Sequence, residues 1–117
     1  MTRIAIDLDA PVACTADGDE IPIRIEQVTR MRDDLRSIDR TADGLLLHFD
    51  PDADLEAHLE RFVRDEKGCC QFWGFEIASG PDLTLRWDGP PDAQAFLDEL
   101  LGYFTSDEPL TALSGLL

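Results

Sequence analysis

Between Leu83 and Trp87 the chain alternates apolar and polar residues without a break, and Ser79-Gly80-Pro81-Asp82 just before it has the residues of a tight turn. A strand with that two-residue period buries only one face, so it needs an antiparallel neighbour beside it and a layer of helices against it. Gln71 to Ala78 reads as the neighbour. Three segments supply the helices. Ile21, Ile25, Val28, Met31 and Leu35 recur at helical spacing after the turn signal Asp17-Gly18-Asp19, and Pro22 is tolerated because it falls in the first turn. Asp50-Pro51-Asp52 caps a second helix whose apolar face is Leu55, Leu59, Phe62 and Val63. Glu66 comes next on that stripe and is expected to point inward. Gly89-Pro90-Pro91-Asp92 starts a third, with Ala93, Phe96, Leu97, Leu100, Leu101 and Phe104 on one face.

Residues 3–8 alternate in part, with Ile4, Ile6 and Leu8 on one side, and Pro11 to Thr15 resumes an extended segment in which Cys14 ends a strand. Ser37 to Thr41 and Leu45 to Phe49 flank Ala42-Asp43-Gly44 as a hairpin. The order strand, helix, strand, strand, helix, strand, then a further strand and helix, predicts an α+β fold. The specific expectation is a ferredoxin-like split βαβ arrangement with an added C-terminal strand and helix, its sheet mostly antiparallel with helices on one face. One domain is expected over residues 1–117, with a core at about 3–104 and a tail over 105–117.

Asp and Glu number 25 against 10 Lys and Arg, a formal net charge of -15, so the surface repels phosphate backbones and anionic lipid heads. Nucleic acid and membrane are therefore not expected as partners. No apolar stretch approaches the roughly 20 residues that span a bilayer. The segment from Met1 to Asp7 turns acidic too soon for a signal peptide, and a cytoplasmic location is expected.

The chemistry concentrates at Cys69-Cys70, with Glu66 upstream and Phe72, Trp73 and Phe75 downstream; Cys14 is the third cysteine. An odd count cannot pair off internally, the spacing fits no common zinc finger, and a reducing compartment favours thiols or thiolates over structural disulfides. Thiolates are soft donors suited to mercury(II), arsenic(III), cadmium or copper(I). Glu66 would then be a fourth ligand, a proton acceptor for an incoming thiol, or a group fixing ligand geometry. The alternative is a carboxylate satisfied by Arg61, Arg64 or backbone. His48 reads as a half-buried strand residue and His58 as lying on the polar side of the second helix. Neither has zinc-site spacing, and no Ser-His-Asp order, phosphate loop or dinucleotide fingerprint is present.

Val12-Ala13-Cys14-Thr15 and Glu66-Lys67-Gly68-Cys69-Cys70-Gln71-Phe72-Trp73-Gly74-Phe75 resemble a family of small bacterial proteins. That family carries an Ile-Ala-Cys-Thr-like segment followed by Glu-x-x-Cys-Cys-Pro-Phe. Some of its members accompany mercury- and arsenic-resistance components, so the resemblance implies a heavy-metal role. By position, its first cysteine falls on Cys14, its carboxylate on Glu66 and its cysteine pair on Cys69 and Cys70. Gln71 stands where the family has proline, and Trp73 falls among the phenylalanines.

The resulting expectation is a binding or detoxification accessory, not an enzyme, that takes a thiophilic metal or metalloid ion on Cys14, Cys69, Cys70 and Glu66. No organic cofactor is expected, and a homodimer is left open. The second reading is a thiol redox or metal-transfer protein using the same cysteines. The third is an interaction module with incidental buried cysteines, docking through Phe72, Trp73, Phe75 and Trp87; strand alternation places most of these in the core instead.

Overall fold

A computed structural model describes residues 2–8 and 20–105, the side chains at positions 2, 20, 21 and 69 excepted. Its elements in chain order are β1 (Thr2–Ile4), α1 (Glu20–Asp34), β2 (Leu35–Arg40), β3 (Gly44–Phe49), α2 (Ala53–Cys69), β4 (Gly74–Ala78), β5 (Leu83–Asp88) and α3 (Gln94–Phe104), the last entered through a 3-10 turn over Pro91–Ala93. This is the predicted α+β class. The sheet order is β1-β4-β5-β3-β2 and every pairing is antiparallel. Because β5 is antiparallel to both β3 and β4, those two strands run the same way with β5 between them and α2 connecting them, which is a split βαβ unit. The added strand thus occupies the centre of the sheet.

Alternation along the strands separates two faces. Leu45, Leu47 and Phe49 of β3, Phe75 and Ile77 of β4, and Leu83, Leu85 and Trp87 of β5 are buried. They join Val28 and Met31 of α1, Leu55, Leu59, Phe62 and Val63 of α2, and Leu97, Leu100, Tyr103 and Phe104 of α3 in one apolar cluster. The other face carries the intervening residues, including Leu46, His48, Glu76, Thr84, Arg86 and Asp88, all partly exposed. Helix α2 starts where predicted: the Asp52 side chain accepts from the backbone N–H of Asp54 at 2.8 Å and of Leu55 at 3.1 Å. At the β2–β3 turn a Cβ on Gly44 would lie 1.9 Å from the Trp87 carbonyl oxygen, so only glycine allows that close approach.

Three local expectations are corrected. The first strand stops at Ile4 rather than running to residue 8, and Leu8 is 73% exposed, because the chain leaves the edge of the sheet after three paired residues. The strand expected from Gln71 starts only at Gly74; the Trp73 backbone N–H instead reaches the Cys70 carbonyl at 3.4 Å. On α1 the inward positions include Arg24 and Gln27, both buried, with Ile25 only partly so. Cys14 and its extended segment, and the tail beyond Thr105, lie outside the described residues.

Candidate functional site

Helix α2 carries its apolar face down to Glu66 and ends at Cys69, with Cys70 as its cap. The cysteine doublet therefore straddles a helix C-terminus. The Cys70 backbone N–H donates to the Glu66 carbonyl at 2.7 Å, closing the last turn. Cys70 is 0% exposed and disulfide-bonded. The other two cysteines, Cys14 and Cys69, are outside the described side chains. Lys67 secures the turn that follows, its Nζ donating to the carbonyl oxygens of Gln71 and Trp73, the latter at 2.6 Å. Burial draws the Lys67 pKa below the ordinary lysine value, and the nearby Asp7 carboxylate opposes the shift.

Glu66 points inward as its stripe position predicts, and is 1% exposed. Its partner is neither Arg61 nor Arg64, which are exposed, but Arg24 of α1, whose Nε lies 2.8 Å from Glu66 Oε2. The Trp73 indole N–H donates to Glu66 Oε1 at 3.2 Å. Burial pushes the Glu66 carboxyl up to about 7; the Arg24 charge and then the Trp73 hydrogen bond pull the other way without cancelling it. Arg24 is itself seated among neighbours, with Nη1 donating to Gln27 Oε1 at 3.0 Å and its guanidinium 5.9 Å from the centre of the Phe62 ring. Gln27 continues the network, donating to Asp65 at 3.0 Å. His58, expected to lie apart on the polar side of α2, meets the Gln27 carbonyl at 3.0 Å. A buried carboxylate needs a cationic or hydrogen-bonding partner. That requirement, with the spacing of 24, 27, 28 and 31 on one helical face, was the signal that could have found Arg24.

Phe72, Trp73, Phe75 and Trp87 are buried. Trp73 stacks edge-on to Trp87 at 5.5 Å, and Phe75 and Phe62 complete the cluster. These rings are core, so the aromatic docking face considered above is absent. His48 pairs with Asp39 at 3.0 Å on the open side of the sheet, remote in the chain from the cysteines. Among the described residues no three His, Cys, Asp or Glu side chains gather as a metal-holding group, and no helix is long and apolar enough to cross a membrane. Compared with protein-family models, curated proteins and solved structures, the chain matches none of them.

Proposed function

We propose that this protein works by thiol–disulfide exchange at Cys70. The carrying observation is a disulfide-bonded, fully buried cysteine capping a helix one turn after a buried carboxyl whose pKa is about 7. A cytosolic-type dithiol is the matching reductant class. One of its thiolates attacks the disulfide, the protein S–S bond breaks as a mixed disulfide forms, and the second reductant thiol resolves it. Two electrons pass to the protein, Cys70 and its former partner each end as thiols, and the reductant leaves as a disulfide. Cys70 would leave as a thiolate inside apolar surroundings, where a free charge is costly. Glu66, titrating near neutrality, supplies a group able to exchange that proton, and Arg24 offers a compensating charge. Counting thiols tests the reading. One of the three cysteines should react before reduction and all three after a mild dithiol, with return to one on reoxidation. Three reactive thiols throughout, or a Cys70→Ser variant with the same redox behaviour, would overturn it.

A second reading follows from the adjacency of Cys69 and Cys70 beside Glu66 at the helix end. Once reduced, the doublet presents soft donors, and with Cys14 it would hold mercury(II), arsenic(III), cadmium or copper(I), with Glu66 in support. A disulfide sulfur is a poor ligand, so uptake should require prior reduction. Titrating reduced and oxidised protein with cadmium separates this reading from exchange alone: tight uptake by the reduced form only, lost in Cys70→Ser, supports it, and equal weak uptake by both forms removes it.

A further inference from the structure

On the open face of the sheet, above β4 and β5, lies a groove of about 520 Å³. Its walls include Arg3, Ile6, Glu76, Arg86 and Asp88. Its floor is built by a missing side chain. Gly74 occupies an outward position opposite Asp88, and a Cβ there would come within 2.7 Å of the Ile6 backbone nitrogen. The chain after β1 can therefore cross onto the open face beside β4 only because residue 74 is glycine.

The charges in this groove are only partly matched. Arg3 pairs with Glu76 at 3.5 Å, which leaves Asp88 and Arg86. Asp88 Oδ1 is shielded from solvent and makes no hydrogen bond among the described residues. Burial raises the Asp88 pKa; Arg86 opposes the shift, and Asp43 and Glu76 add to it. Arg86 forms no ion pair among the described residues. Asp88 and Arg86 both line the groove; a carboxylate there attracts an ammonium, and a planar guanidinium suits a carboxylate. Residues two apart on one strand sit roughly 6.5–7 Å apart and face the same way. That separation accommodates a ligand whose ammonium and carboxylate share one carbon, with hydrogen-bond lengths at either end.

We propose that the groove between the residue 4–6 segment and β5 binds the zwitterionic head of a free α-amino acid. Asp88 takes the ammonium, Arg86 takes the carboxylate, and the side chain lies along Ile6. A peptide fits less well, because its two charged termini are spread too far to meet Asp88 and Arg86 together. This site is separate from the cysteine chemistry and does not depend on it.

The test is an amide NMR titration of the full chain with L-leucine, read at Gly74 and Asp88. Saturable shifts in the millimolar range are expected. Isoamylamine, which lacks the carboxylate, 4-methylpentanoate, which lacks the ammonium, and the peptide Ala-Leu-Ala should each bind at least about tenfold more weakly, as expected for loss of one charge-assisted contact. Arg86→Met and Asp88→Asn, both at partly exposed strand positions, should weaken leucine binding by a similar factor while unfolding as the parent does. Equal binding of leucine and either single-charge analogue, tighter binding of the peptide, or no saturable shift would overturn the proposal. The analogue series needs no variant, so the test stands even where a substitution disturbs folding.

Discussion

Arg24–Glu66 and Arg36–Asp50 are the same chemical contact, guanidinium to carboxylate at 2.8 and 3.0 Å, in opposite surroundings. The first pair is 4% and 1% exposed, and the second is 58% and 77% exposed. In water an ion pair exchanges one set of good contacts for another and contributes little. Between α1 and α2 neither partner can fall back on solvent, so each depends on the other, and the carboxyl still titrates far above its ordinary range. The difference shows why a buried pair is weak evidence for stability yet good evidence for a site. It is costly to assemble, and here it lies one helical turn from a disulfide-bonded cysteine.

The contrast is sharpest if one partner is removed. Arg24→Met should destabilise the fold by about 3–5 kcal/mol at neutral pH, because the buried Glu66 carboxyl loses its cationic partner and must take up a proton. Denaturant unfolding would read this as a lower midpoint at unchanged slope, and the loss should shrink at acid pH, where Glu66 is protonated.

The Glu66 pKa in the folded chain, about 7, lies above the 4.5 of an ordinary glutamate. The native state therefore holds this proton more tightly than the unfolded one. Its contribution is complete below about 4.5, declines as pH rises toward 7, and is level beyond that. The span is a few kcal/mol at most, at about 1.4 kcal/mol per pKa unit. Stability curves of the parent and Glu66→Gln should therefore diverge most steeply between those two pH values. Parallel curves would mean that Glu66 has an ordinary pKa.

Trp73→Phe removes the indole N–H from Glu66 Oε1 but keeps an aromatic ring, and should cost about 1–3 kcal/mol while raising the Glu66 pKa further. Arg36→Gln should stay within about 0.5 kcal/mol, and a larger loss would dissolve the distinction between the two pairs.

Much of this was legible along the chain. The 55-59-62-63 stripe carried the inward orientation of Glu66, the Asp52 cap marked the start of α2, and the alternation through Trp87 separated core rings from open face. Each of these is a local periodicity, set by which residues share a face. What was not legible is long-range pairing. Nothing in the pattern of β5 says that it lies at the centre between β3 and β4, and nothing near Glu66 names Arg24, which approaches from another helix. The late start of β4 escaped because Gln71-Phe72-Trp73 has strand-forming composition. What bends it is the Lys67 side chain holding the carbonyls of Gln71 and Trp73, a contact that no propensity encodes.

The reduction potential of the Cys70 disulfide is the most direct test of the account. Equilibrating the chain in graded dithiol buffers at pH 7 and quenching its thiols should give a reversible two-electron midpoint above about −300 mV, in the range of exchanging disulfides. A midpoint well below that value, or a bond that opens only when the protein unfolds, would make the disulfide a structural staple and contradict the proposed exchange.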